Sequence, residues 1–183
     1  IPEDELQSVV DQWRGANPSV VKLWRNCEMA ARTVIEEHRT VRLKNGIAFG
    51  YINGNLFIKL PSGRKLCYWN THLKMDPRDG RERIVYMGVN QETKQWGETE
   101  TYGGKLVENI TQAIARDCLA ISMQRVAALG YNIVMHVHDE MIVDVPIEDT
   151  DALERINACM GEAIPWAPGL PLRGDGYETP FSM

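Results

Sequence analysis

The segment from Tyr131 to Pro146 constrains the fold more than any other, because it holds two apolar, β-branched runs separated only by His138, Asp139 and Glu140. Ile133, Met135 and Val137 alternate as one face of a strand would, and Met141 to Val145 is again apolar. The pattern predicts a β-hairpin with carboxylates at its tip. Two-residue hairpin turns favour Asn-Gly, Asp-Gly or a leading Gly, because the favoured turn types need positive φ. Adjacent carboxylates repel one another and suit a turn poorly, so they point to a chemical role, that of holding a hard cation such as Mg²⁺ beside a phosphate. The competing reading is a solvated acidic turn with no ligand.

Composition sets limits on what surrounds this hairpin. At 183 residues and 44% hydrophobic content, the chain can form one sizeable domain or a large part of one. Its net charge of −5 and pI near 5.4 argue against a self-sufficient DNA-binding surface held by phosphate contacts alone. Basic residues must be concentrated locally or supplied by other chain. Cys27, Cys67, Cys118 and Cys159 lie far apart without C-x-x-C spacing, which suggests neither a zinc knuckle nor a secreted disulfide framework. A reduced, cytoplasmic chain is the expectation, and no signal peptide or membrane span is predicted. The start at Ile1-Pro2, without an initiator Met, reads as a fragment or a processed product.

Acidic residues from Glu3 to Glu5 open a helix carrying Leu6, Val9, Val10 and Trp13, which Gly15 ends. Asn17 as cap and Pro18 at the first helical position start a second helix that runs to about Glu37. Between Thr40 and Trp69 short β runs (Thr40 to Lys44, Ile47 to Ile52, Leu56 to Leu60, Lys65 to Trp69) are separated by Asn45-Gly46, Asn53-Gly54 and Ser62-Gly63. These are hairpin-turn signals, so a small antiparallel meander is expected. A charged loop from Asp76 to Arg83 follows, read as a solvated, mobile excursion in which Arg78, Arg81 and Arg83 are interleaved with acids. Strands are predicted over Ile84 to Val89 and around Lys94 to Glu98. The strongest helical signal runs from about Lys105 to Leu129, with Gly130 as its stop. A last helix is expected over Asp151 to Glu162, and Leu170 to Tyr177 is expected to return as an extended strand beside the hairpin.

The sequence Val137-His138-Asp139-Glu140 between two apolar strands resembles motif C of the family A DNA polymerases, the bacterial DNA polymerase I type. Upstream, Tyr102 to Asp117 resembles the palm helix that precedes motif C, above all in phage and prophage members. Downstream, Trp166 to Leu172 and Gly174 to Glu178 are similar to the closing segment of those phage-type enzymes. Trp13 to Trp24 looks like the segment after the fingers helix that bears motif B, and Leu60 to Tyr68 resembles a strand pair of the family. The resemblance covers essentially all of the chain, as late fingers and palm of such an enzyme. It implies an α+β fold with N-terminal helices over 1–39, a small antiparallel β meander and charged loop over 40–101, and a palm-type antiparallel sheet with packed helices over 102–183.

The implied activity is DNA-directed DNA synthesis, nucleotidyl transfer from a dNTP to a primer 3′ hydroxyl by a two-metal mechanism with Mg²⁺. By the resemblance, Asp139 ligates the ions, Glu140 sits at the edge of the site near the primer terminus, and His138 supports the turn or the primer strand. The family's Gln at the position of Gln112 meets the minor groove of the primer-template, whose acceptors are common to all base pairs. Asn109, Lys105 and Arg116 are the neighbouring candidates for DNA contacts. Glu108 stands where the bacterial enzymes have Asn, and Lys105 near a usual Arg. Motif A, with a second metal-binding Asp, and motif B, which grips the nucleotide, are not found, so the expected partners are primer-template DNA, dNTP and the missing upstream part of the polymerase. The chain alone is expected to be inactive. Two other readings stand beside this one: a metal-dependent phosphodiesterase using His136, His138, Asp139 and Glu140, and a non-catalytic DNA-binding or assembly module of a split polymerase. For Arg64 and Lys65 a hairpin with an exposed basic tip is the simpler expectation; for Lys105 and Glu108 an exposed helix pair stands level with the DNA contact, for Arg116 and Asp117 a structural ion pair is the alternative, and for His136 packing alone is expected.

Overall fold

The computed structural model describes residues 3–44, 46–90 and 93–180. In chain order the elements are α1 (Glu3–Ala16), α2 (Pro18–Glu37), β1 (Val41–Arg42), β2 (Ala48–Ile52), β3 (Asn55–Lys59), β4 (Lys65–Met75), β5 (Glu82–Val89), β6 (Trp96–Thr101), α3 (Gly103–Ala128), β7 (Asn132–Val137), β8 (Glu140–Asp144) and α4 (Ala152–Gly161). This is the α+β mixture expected, with one antiparallel sheet in the order β1 to β6 and a separate two-stranded β7–β8 sheet. The chain divides into two compact units, Ile1–Thr111 and Gln112–Met183, and the division falls inside α3.

In the first unit α1 and α2 are separated only by Asn17. That residue gives no side-chain cap to α2; its amide donates back to the Trp13 carbonyl at 2.9 Å, and Pro18 alone supplies the starting signal. Trp13 stacks on Trp24 with ring centroids 5.6 Å apart, which ties the two helices. Cys27, Ala30, Ala31, Val34 and Ile35 of α2 are buried, as are Phe49, Leu56, Ile58, Tyr68 and Ile84 of the sheet, and α2 packs on β2, β3 and β4. Small residues on the helix allow that close approach, and the β-branched and aromatic side chains of the strands fill the space. Asn53 and Gly54 both take positive φ (51° and 79°), the requirement of the two-residue turn between β2 and β3. Gly46 has φ 75°, and Asn45 of that predicted turn lies outside the described residues.

One expectation is corrected here. The meander is larger than the sequence suggests, because β4 does not stop at Trp69. A bulge between Trp69 and His72 carries the strand through to Met75: Asn70 takes φ 48°, its N–H donates to Asn55 Oδ1 at 2.8 Å, and the Thr71 hydroxyl donates to the Tyr68 carbonyl at 2.6 Å. The turn after it is exposed from Pro77 to Glu82, as expected of a solvated loop, and is anchored at its base. Asp76 is buried at its base and accepts bonds from the backbone N–H and guanidinium of Arg78, with Arg83 Nε 3.5 Å away. Together these donors and cations hold its carboxyl well below the usual carboxylate range, the Arg78 bonds first.

In the second unit α3 ends where Gly130 takes φ 91°. Arg125 reaches from α3 to the C-terminal end of α4, donating to the carbonyls of Glu162 at 3.0 Å and Ala163 at 2.8 Å, which satisfies acceptors that the helix itself leaves open. The segment 170–177, expected as a strand beside the hairpin, pairs with no strand and runs over α4 instead. A Cβ at Gly174 would lie 2.7 Å from Asn157 Cα, and one at Gly176 would lie 3.0 Å from a Leu153 methyl. Pro171 removes a ladder donor, and the two glycines let the backbone press on the helix.

Candidate active site

The hairpin forms, and its tip differs in detail from a pair of turn carboxylates. Val137 pairs with Glu140, so the two-residue turn is His138-Asp139 and Glu140 is already the first residue of β8. His138 takes φ 49°, a left-handed backbone in which histidine, asparagine and aspartate are enriched among non-glycine residues. Asp139 is thereby presented at the tip, and His138, Asp139 and Glu140 are all exposed.

Registry sets which side chains share a face. The pairs Val137–Glu140 and Met135–Ile142 point one way, and His136–Met141 points the other. A bulge at Val134 then moves Ile133 across to the His136 side, where it pairs with Val143, so the simple alternation of Ile133, Met135 and Val137 is broken. On the His136 side Ile133, Met141 and Val143 are half-buried. On the Glu140 side Met135 is 50% and Val137 44% exposed, an open apolar face beneath a carboxylate.

Two contacts fix the hairpin. Arg116 of α3 lies with Nη2 3.2 Å from His136 Nε2. An arginine can only donate, so Nε2 is the acceptor in this contact. This is a role for His136 beyond packing, which no local pattern announces because its partner is on another element. At the base, Tyr131 donates to Asp149 at 2.9 Å and accepts from Arg155 Nε at 2.8 Å, while Arg155 also pairs with Asp149. The residues before β7 and after β8 are thus clamped to α4.

Along α3, Lys105, Asn109, Gln112 and Arg116 follow at spacings of four, three and four, which puts them on one stripe of the helix. Lys105 bonds Glu108 through both carboxylate oxygens at 3.1 and 3.0 Å, the exposed helix pair that stood beside the DNA contact as an equal expectation. Asn109 is committed internally: its amide donates to the Tyr68 hydroxyl at 2.8 Å. Burial pushes that phenol up to about 12, with the bond from Asn109 opposing the shift. Gln112 and Arg116 are exposed, whereas Asp117 is buried. Adjacent helical residues point apart, so Arg116 turns to the hairpin while Asp117 turns inward.

Asp139 and Glu140 offer hard oxygen donors of the kind Mg²⁺ takes, usually one or two carboxylates completed by water and substrate phosphates. Among the described residues no group of three or more His, Cys, Asp or Glu side chains is arranged to hold a metal. The donor chemistry fits a shared ion and not a closed cage.

Over 181 residues, 99% of this chain, the sequence is 48% identical to the DNA polymerase of Bacillus phage SP02. The chain is similar to a stretch of a phage DNA polymerase. It spans 28% of that relative's length. No family model matches the chain, and no solved structure matches it. Among the described residues no helix is long and apolar enough to cross a membrane.

Proposed function

We propose that this chain is the motif C portion of a family A DNA polymerase and that, with the remaining part of such an enzyme, it takes part in template-directed transfer of a deoxynucleotide to a primer 3′ hydroxyl in the cytoplasm. The observation that carries the reading is the 48% identity to a phage DNA polymerase along nearly the whole chain, with Asp139 at the tip of a two-residue hairpin turn. Asp139 would hold Mg²⁺ and Glu140, one position into β8, would stand at its edge. Bound there, the ions supply a lowered pKa for the primer hydroxyl and neutralise charge on the leaving pyrophosphate in a two-metal mechanism. Arg116 orients the hairpin through His136, and Gln112 on the same stripe offers amide donors to the minor-groove acceptors that all base pairs share. Asn109 serves α3 through Tyr68, and is not among the proposed contacts; Lys105 can reach a phosphate by leaving Glu108.

Two carboxylates at a turn bind Mg²⁺ weakly, so the chain alone is expected not to extend a primer. The phosphodiesterase alternative is disfavoured by registry: His136 faces Arg116 on the side of the hairpin opposite Glu140, so the two side chains do not converge on one ion. The test is primer extension by the chain mixed with the upstream part of the polymerase, in which Asp139→Ala should abolish synthesis. Extension by the pure chain, or synthesis that survives the substitution, would contradict the reading.

A further inference from the structure

Between His38 and Met75 the chain carries seven Lys and Arg residues and no Asp or Glu, although the whole chain has 25 acids to 20 bases. This stretch builds β1 to β4, and strand registry aligns its charge. Arg42 pairs with Ala48, Ala48 with Lys59 and Lys59 with Lys65, so Arg42, Lys59 and Lys65 lie in one row across four strands on the face away from α2. All three are exposed, and none joins an ion pair among the described residues. Like charges directly opposite one another, as at Lys59 and Lys65, destabilise a sheet unless an anion lies over them.

The same face is aromatic. Phe57 and Cys67 pair in the row next but one to the basic row; Trp69 pairs with Met87 and Met87 with Glu98, whose carboxylate is taken up by Lys74 on the same face, and Val89, two residues beyond Met87, pairs with Trp96. Trp69 is 58% and Trp96 62% exposed, on strands β4 and β6, about 10 Å apart across the sheet. The opposite face, with Phe49, Leu56, Ile58 and Ile84, is buried, and on the outer face Val85 is buried as well. An exposed apolar patch of this kind beside a row of unpaired cations needs an occupant that is both anionic and able to stack.

We propose that the outer face of the six-stranded sheet is a binding platform for single-stranded nucleic acid, with phosphates along Arg42, Lys59 and Lys65 and bases on Trp69 and Trp96. A duplex offers phosphates but keeps its bases stacked inside, and an apolar protein partner would leave the cations uncompensated. Stacking on exposed aromatics beside a positive track is how sequence-tolerant single-strand binding is built. The choice of nucleic acid among polyanions rests on the DNA-synthesis reading, but the platform needs neither metal nor Asp139.

The test is fluorescence anisotropy with the 183-residue chain, a labelled oligothymidylate of about 12 nucleotides and a blunt duplex of equal length, in EDTA across a salt series. The chain should bind the single strand more tightly than the duplex. The W69A/W96A double variant should weaken single-strand binding about tenfold or more and leave duplex binding unchanged. Lys59→Gln with Lys65→Gln should lower the slope of log K against log salt by about 1.4, at roughly 0.7 for each phosphate that is no longer neutralised. Circular dichroism melts confirm that the variants fold, and Asp139→Ala should bind as the unaltered chain does. The proposal is overturned if the tryptophan variant binds oligothymidylate normally, if the duplex binds equally well, or if the unaltered chain does not bind at low salt; that last outcome assigns the face to a protein partner. Since no synthesis is read out, each of these failures leaves the Asp139 assignment standing.

Discussion

His138 sits at the hairpin tip with φ 49°, where an L side chain meets a steric penalty of about 1–2 kcal/mol that glycine avoids. His138→Gly should therefore leave the thermal midpoint unchanged or raised, the gain being reduced by roughly 0.5–1 kcal/mol of extra backbone entropy in the unfolded chain. A lowered midpoint would mean that the imidazole holds the fold. If the variant is stable yet loses synthesis in the reconstituted enzyme, the imidazole acts on the primer strand. Asn109 is the internal counterpart to this exposed residue. Asn109→Ala removes a partner from the buried Tyr68 hydroxyl and should cost about 1–3 kcal/mol in urea unfolding, much of it recovered when Tyr68→Phe is added. Unchanged stability in the single variant would contradict a structural role for Asn109 and return it to the DNA contacts.

At the scale of elements, α3 begins against α2 with no room to spare. A Cβ at Gly103 would stand 2.1 Å from the Trp24 carbonyl oxygen, so Gly103→Ala should destabilise by about 1–3 kcal/mol in denaturant melts. The turn between β4 and β5 carries a pH signature. Because Arg78 and Arg83 hold the Asp76 carboxyl below its ordinary range, its stabilisation is fully present above the unfolded value of about 3.9 and is lost as pH falls toward the lower folded value. The midpoint difference between the chain and Asp76→Asn should be constant near neutrality and shrink below about pH 4; a difference independent of pH would remove Asp76 from the account. These elements also explain what the sequence discloses. Helix limits at Pro18 and Gly130 and the Asn53-Gly54 turn are legible because they are local backbone requirements. The bulges at Asn70 and Val134 are not, since neither breaks the residue pattern, and the strand expected over 170–177 fails because Gly174 and Gly176 serve contact with α4. Within the site, the turn that presents Asp139 is legible, whereas the Arg116–His136 contact joins residues on two elements and leaves no trace in either.

For the whole molecule, charge is divided more sharply than its net value suggests. Seven bases without an acid lie between His38 and Met75, which leaves 13 bases against 25 acids elsewhere. A local concentration of bases is therefore found on β1 to β4 and their connections, apart in sequence from the carboxylates of the hairpin. That division of charge fits the proposed single-strand platform and the proposed cation role of Asp139. The chain spans 28% of the phage polymerase it matches, so the central claim concerns what it contributes to a larger enzyme. The most direct measurement is primer extension with Mg²⁺ and four deoxynucleotides by this chain combined with the upstream part of the polymerase. Synthesis that requires both parts and disappears with Asp139→Ala is the expected result; synthesis by the upstream part alone, or undiminished by Asp139→Ala, would contradict the claim.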